Sequence, residues 1–428
     1  MIDSEVLARA VAAVQRASGD EVIAEMFRRS MAENLPAVAE RLPDGTTFVL
    51  TGDIPAMWLR DSAAQLRPYL LLCKDDPGLQ DVLIGVLHRQ LEYVVLDPYA
   101  NAFNKEANGA GHVDDETEMS PWVWERKYEI DSLCFPLDLG YALWRITGRS
   151  DHLDERFARA AGMILDLWEC ELDHEESPYF FERDSPLPSE TLTRNGRGEP
   201  VGRTGMSWSA FRPSDDACVY NYNVPGNMFA TVVLGYLEVI ASQVLGDAAM
   251  AGRAARLQAT IRAGIEAYGL IDHPIYGRVY CYETDGLGRQ VIMDDANMPS
   301  LLSLPLSGYL PADDPTYLAT RAMIISPANP YFYSGSHAEG IGSPHTYPNY
   351  VWPIALAVQG LTAVDREEKL RLLQLLSRTT GGTGQMHESF DVDDPTRFSR
   401  AWFSWANAMM CELALDLAGL RLADRVGS

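Results

Sequence analysis

Apolar side chains recur at three- and four-residue intervals along most of this chain, and that spacing lays them on one face of an α-helix. Over 151–171 the set Leu153, Phe157, Ala160, Ile164, Leu165 and Trp168 follows it, behind a Ser150-Asp151 pair suited to N-capping. Over 250–270 the set is Ala254, Leu257, Ile261, Ile265 and Tyr268. The same reading predicts helices over about 5–17, 21–40, 61–73, 79–96, 130–147, 224–244, 296–306, 315–326, 350–361, 365–378 and 401–419. Several, such as YVWPIALAVQGL, are apolar nearly all round and predict helices buried on more than one side. Strand-like alternation is confined to short pieces such as TTFVLTG and GRVYCYET. The fold class expected is all-α.

The joints between these helices narrow the choice further. Those at about 99–129, 172–223, 271–295, 327–349 and 379–400 are long, polar and rich in Gly, Pro and aromatics. Loops of such length inside a compact chain are functional or disordered, and the aromatic content argues for function. Each leads into a polar cluster: YEIDS, RPSDDA, MDDAN, SPHTYPN and QMHESF, with WLRDS as an earlier counterpart. Taking Asp61, Asp131, Asp216, Asp295, His345 and Glu388 as markers, the gaps are 70, 85, 79, 50 and 43 residues. A helical solenoid would keep a more regular period. Uneven gaps suit helix hairpins with variable loops. About twelve helices in six hairpins, with the polar joints at one end, describe an (α/α)6 toroid: one domain over 1–428 with a single concave pocket.

Charge excludes some partners. Sixty acidic residues against 35 Lys plus Arg give a formal charge of −25, which repels nucleic-acid backbones and anionic lipid. No uninterrupted apolar run reaches the ~18 residues of a spanning helix, so no membrane partner is expected. Asp3 and Glu5 stand where a signal peptide would carry positive charge, so a cytoplasmic protein is expected. Cys73, Cys134, Cys170, Cys218, Cys281 and Cys411 form no CxxC pair, which fits buried thiols in a reducing cytosol.

The polar clusters carry the chemistry. Asp215-Asp216 and Glu388 are candidates for the two carboxyls of glycoside hydrolysis, one protonating the leaving oxygen, the other activating water or attacking the sugar. Adjacent aspartates also disfavour joint ionisation, which can supply a protonated acid. Alternatively, Ser214 and Asp215 cap the helix that follows. The flanking SWSAFRP and VYNYNVPGN favour a sugar site, since aromatics suit sugar faces and amides suit hydroxyls. Glu388 has His387 beside it and Trp402 and Trp405 close behind. Arg60 and Asp61, after Trp58, can clamp vicinal hydroxyls or simply pair at a helix start. Glu129, Asp131, Asp294 and Asp295 divide between capping and ligand binding. His337, His345 and His387 make no HxxxH or HxH pairing, so no metal site is expected. Without GxGxxG after a strand, GxxxxGK[ST] or GxSxG, nucleotide and serine-hydrolase readings lack support. The residues lead to a carbohydrate pocket worked by two carboxylates, and they do not name the sugar.

At TGDIPAMWLRDSAAQLRPY, YEIDSLCFPLDLGYALW, GMSWSAFRPSDDA, DDANMPSLLSLP and GTGQMHESFD the chain resembles glycoside hydrolase family 125. The motifs recur in order over nearly the whole length. The resemblance implies an exo-acting α-1,6-mannosidase on an (α/α)6 barrel, inverting and metal-independent, with no cofactor and a mannose-containing oligosaccharide as substrate. It implies a general acid at Asp215 or Asp216 and a general base at Glu388. Trp58, Arg60, Asp61, Glu129, Asp131, Asp295, Asn297 and His345 are then expected to hold the terminal sugar. A glucose-specific hydrolase, a phosphorylase needing a basic anion site, and a non-catalytic sugar-binding scaffold are the alternatives.

Overall fold

Burial separates the helices of the computed structural model, which describes residues 2–426, into two kinds. Amphipathic helices with one buried stripe are α1 (Ser4–Ser18) and α2 (Glu21–Val38), while α3 (Leu59–Ala64) and α4 (Arg67–Leu70) are buried throughout. Next come α5 (Pro77–Leu96), the mostly buried α6 (Cys134–Thr147), and the amphipathic α7 (Glu155–Cys170), with Asp154 as its cap. After the single distorted turn α8 (Thr193–Gly196) the chain forms the apolar α9 (Val224–Ile240) and the amphipathic α10 (Ala248–Tyr268). The remainder are α11 (Pro315–Ile324), α12 (Pro353–Leu361), α13 (Arg366–Arg378), α14 (Ser404–Leu417) and the short α15 (Leu422–Val426).

The buried helices pack on one another and are backed by the amphipathic ones. α9 lies against α6 and α10, and α6 against α3 and α5. α14, buried along its whole length, contacts α12, α13, α2 and α4. One apolar cluster runs through the molecule from Val6 to Leu417. Within it Arg67 makes a double bond-pair with Glu412, Nε and Nη2 each donating at 2.8 Å. Cys134, Cys218, Cys281 and Cys411 are buried thiols.

Several local expectations are corrected. The segment 296–306 is a run of turns rather than a helix. Asp294 takes the amides of Leu301 and Leu302 at 2.8 and 2.9 Å, and Ser300 and Ser303 bond each other's amides. These side chains satisfy donors that a helix would have used, and Pro299 and Pro305 have none to offer. The expected helix 61–73 breaks at residues 65–66, because Pro68 cannot return a hydrogen bond to Ala64. The helix near 151–171 starts at Glu155, capped by Asp154 and not by Ser150-Asp151. Val224–Leu245 is long and apolar enough to cross a membrane by length and composition, against the expectation that no segment reaches that limit. Asn227, Thr231 and Glu238 interrupt it and hid it from a search for unbroken apolar runs. Here about half of that apolar window is buried, against α6 and α10.

Short strands stitch the long joints together. Met57–Trp58, Ala102–Phe103 and Val123–Glu125 form one antiparallel sheet, β3–β4–β5 counted after β1 (Ala39–Arg41) and β2 (Thr47–Val49). Tyr350–Val351, Ser389–Asp391 and Phe398–Ser399 form another. Both expected strand pieces exist, at Thr47–Val49 and Gly277–Tyr280. The two-residue strands are too short to show alternation in sequence.

Candidate active site

The two stitched sheets deliver side chains to a narrow cavity lined by Trp58, Arg60, Asp61, Asp215, Asn297, His345 and Glu388, with Trp352, Phe403 and Trp405 as apolar walls. The chain enters α3 directly from strand Met57–Trp58, so Arg60 and Asp61 occupy the first helical turn and are buried. Arg60 gathers four carboxyls. Nη1 donates to Glu129 Oε2 at 2.6 Å and Asp131 Oδ2 at 3.2 Å, Nη2 donates to Asp215 Oδ1 at 2.8 Å, and Nε lies 3.8 Å from Asp61. One guanidinium cannot neutralise four anions out of water, so protons are retained. Burial pushes Glu129 well above the usual carboxyl range, with the charges of Asp215 and Asp131 adding to it against Arg60. Burial likewise lifts Asp61 and Asp131 to about 6, although Arg60 opposes it. At Asp215 burial is outweighed by Arg60, a hydrogen bond with Glu129, Lys127 and His345, which hold the carboxyl well below its ordinary value.

The two adjacent aspartates point in different directions for a local reason. Asp215 has φ +66°, a left-handed conformation that Asp tolerates better than most residues. A tight turn fixes it: Arg212 N donates to Asp216 O, Asp215 N donates to Arg212 O, and Lys127 Nζ donates to Asp215 O at 2.7 Å. The Asp215 side chain is 25% exposed, into the cavity, whereas that of Asp216 is 2% exposed. Asp216 faces His345, whose Nδ1 lies at 3.3 Å, and Ser214, whose Oγ donates at 3.4 Å. Burial works against the His345 charge, but the hydrogen bond and charge of Asp216, with Asp215 and Glu388 behind, raise it to about 9. Ser214 and Asp215 cap no helix; Asn223 caps α9, accepting from Gly226 N.

Glu388 precedes strand Ser389–Asp391 and meets the cavity from the other sheet. Ser399 Oγ donates to Oε2 at 2.8 Å and Arg400 Nη1 to Oε1 at 3.3 Å. Arg400 was not singled out in the sequence. Nη2 donates to the Thr51 carbonyl at 2.8 Å, Nε donates to Asp53 at 2.9 Å, and the guanidinium lies 4.6 Å above the Phe403 ring. Nothing in RFSRAW distinguishes it from a surface cation; only the proximity of Glu388 twelve residues earlier offers a clue. His387 turns away, bonded to the carbonyls of Ala401 and Thr380 and stacked on Phe398.

The expected site residues therefore divide. Trp58, Arg60, Asp61, Asp215, Asn297, His345 and Glu388 line the cavity, while Glu129, Asp131, Asp216 and Asp295 stand behind it. Asp295 accepts from the Asn297 amide at 3.2 Å and so fixes a lining residue. The indole N–H groups of Trp58 and Trp405 are buried without a protein partner, as is Asp295 Oδ2. Such atoms around a cavity suit a ligand dense in hydroxyls, which both donate and accept. Among the described residues no group of three or more His, Cys, Asp or Glu is placed to hold a metal ion.

Comparisons with known proteins agree with this chemistry. The family model of the metal-independent α-mannosidases, GH125, matches residues 20–415. The chain is similar to the meiotically up-regulated gene 157 protein of Schizosaccharomyces pombe, 40% identical over 93% of this chain and 82% of that one. It also superposes on a metal-independent α-mannosidase of Streptococcus pneumoniae, solved as a non-productive complex with α-1,6-mannobiose. That likeness has a TM-score of 0.95 and 50% identity over 98% of this chain and 99% of that one. A bacterial glucoamylase complexed with acarbose shares the fold at a TM-score of 0.58 and 13% identity, over 95% of this chain and 57% of that one. The chain belongs to glycoside hydrolase family 125, the metal-independent α-mannosidases.

Proposed function

We propose that this α-mannosidase removes single terminal α-1,6-linked mannose residues from the non-reducing ends of oligosaccharides, with inversion, and that Asp215 is its general acid and Glu388 its general base. The observation that carries the reading is the arrival of these two carboxyls at one narrow cavity, Asp215 from a tight turn and Glu388 from the start of a strand, each oriented by its own partners. A cavity of that width takes the end of a chain rather than its middle. The linkage is supported by the α-1,6-mannobiose bound to the pneumococcal relative.

In this mechanism Asp215 protonates the glycosidic oxygen as its bond to C1 breaks. Glu388 takes a proton from the water that attacks C1 on the opposite face. Inversion requires the two carboxyls about 6.5–9.5 Å apart, leaving room for that water. Arg60, Asp61, Asn297 and His345 hold the hydroxyls of the terminal sugar, and Trp58 supplies an apolar face. The remaining expected residues act one step back: Glu129 and Asp131 brace Arg60, Asp216 braces His345, and Asp295 braces Asn297.

The scaffold of this reading is an (α/α)6 toroid forming one catalytic unit. Its inner positions would be α3 with α4, α6, α9, the turns at 297–308, α12 and α14. Its outer positions would be α2, α5, α7, α10, α11 and α13. The alternation of buried and amphipathic elements supports it. Proton NMR of α-1,6-mannobiose hydrolysis tests the function: β-mannose is expected first. α-Mannose first would overturn inversion, and no cleavage would overturn the linkage.

A further inference from the structure

Glu129 is sealed beneath the cavity and does not line it. Its Oε2 accepts from Arg60 Nη1 at 2.6 Å and from Ser132 Oγ at 2.7 Å. Its Oε1 is buried and receives a hydrogen bond from no donor. Leaving a buried carboxylate oxygen in that state costs about 1–3 kcal/mol or more. A carboxylic O–H at Oε1 would donate instead, and the acceptor within reach is Asp215. Both carboxyls rest on the same guanidinium, Glu129 on Nη1 at 2.6 Å and Asp215 on Nη2 at 2.8 Å, which brings them side by side. Carboxylates are acceptors only, so a bond from one to the other needs one proton between them.

The surroundings decide which carboxyl carries it. Asp215 faces Arg60, Lys127 and His345, and the Asn101 amide lies 3.5 Å from Oδ1. Glu129 faces Arg60 and Ser132 but also Asp131, and it is fully enclosed. The proton therefore rests on Glu129. This creates a difficulty for catalysis, because an acid surrounded by three cations is ionised and has nothing to donate at neutral pH.

We propose that Glu129 is the resting holder of the catalytic proton and passes it to Asp215 when a sugar fills the cavity. The inference rests on the reading of Asp215 as the general acid. The bound sugar covers the exposed part of Asp215 and strips water from its carboxylate, which disfavours the charged form. The Glu129 Oε1–H bond breaks and an Asp215 Oδ–H bond forms, leaving the Glu129 carboxylate on Arg60 and Ser132. Asp215 then gives this proton to the leaving oxygen while Glu388 receives one from water. The pair regains a proton from solvent as Glu388 releases its own. Glu129 thus acts through Asp215 and does not touch the sugar.

Glu129→Gln tests this, since its amide still donates to Asp215 but carries no transferable proton. Turnover of α-1,6-mannobiose is expected to fall by about 10²–10⁴-fold. The alkaline limb of its kcat profile should move to lower pH, because Asp215 then titrates alone. Turnover of α-mannosyl fluoride, whose leaving group departs without a proton donor, should fall far less than that of mannobiose, and circular dichroism should report that the variant is folded. Wild-type mannobiose turnover with an unchanged pH profile would overturn the proposal. So would equal losses on both substrates, which mean that Glu129 merely braces Arg60. Should Glu129→Gln not fold, Glu129→Asp replaces it: the mannobiose rate should fall far more than the fluoride rate, and equal falls overturn the proposal. Asp215→Asn separates the two readings. Equal loss on both substrates in that variant would remove Asp215 from the acid role itself.

Discussion

Asp216→Asn isolates the electrostatic support of His345. The substitution keeps size and an acceptor oxygen near Nδ1 but removes the buried negative charge that the imidazole faces at 3.3 Å. His345 stands at about 9 against an ordinary 6.5. At about 1.36 kcal/mol per pH unit, that gap corresponds to roughly 3 kcal/mol of preference for the charged ring. The ring is 33% exposed, so solvent screening reduces the stabilisation to about 1–2 kcal/mol. Because the folded value is raised, this contribution is complete below pH 6.5 and disappears as pH rises through about 9. Urea unfolding of the wild type and Asp216→Asn should therefore differ most near pH 6 and converge above pH 9. The His345 ring-proton resonance should titrate near 9 in the wild type and well below that in the variant. A wild-type ring that titrates at or below 6.5, or a stability difference that does not change with pH, would refute the reasoning.

The other expectations are simpler. Glu388→Gln should lose about 10²–10⁴-fold in kcat on α-1,6-mannobiose with an unchanged melting temperature; wild-type turnover would remove Glu388 from the base role. Glu412→Gln leaves Arg67 buried and half-paired beside α14, so chemical denaturation should show a loss of about 3–5 kcal/mol. Gly111→Ala places a Cβ against the Trp124 carbonyl at φ +115°, and thermal melting should report about 1–3 kcal/mol of strain.

Helices with a single apolar stripe were the most legible part of the sequence, because their burial repeats with the helical period. α7 and α10 fall within a few residues of where Leu153–Trp168 and Ala254–Tyr268 indicate. Local hydrogen bonding defeated the same logic at 296–306, where Asp294, Ser300 and Ser303 take over the backbone amides. The polar clusters were legible as a set, since carboxylates concentrate where long joints meet helices. Their ranks were not. Whether a carboxyl lines the cavity or stands behind it depends on one backbone angle at Asp215 and on how deeply Arg60 is enclosed. Arg400 escaped notice because its partners, Thr51 and Asp53, lie nearly 350 residues away.

That last separation has a consequence for how the enzyme comes into being. Arg400 ties the Glu388 joint to the Thr51–Asp53 turn, Glu412 holds Arg67, and the Asn34 amide donates to the Ser404 carbonyl. Thr51 and Trp58, from early in the sequence, thus line the same cavity as Glu388 and Arg400, from late in it. A ribosome releases Asp53 347 residues before Arg400, so Glu388 gains this support only after both stretches have been made. The cavity is therefore completed only once stretches made early and late in synthesis have met.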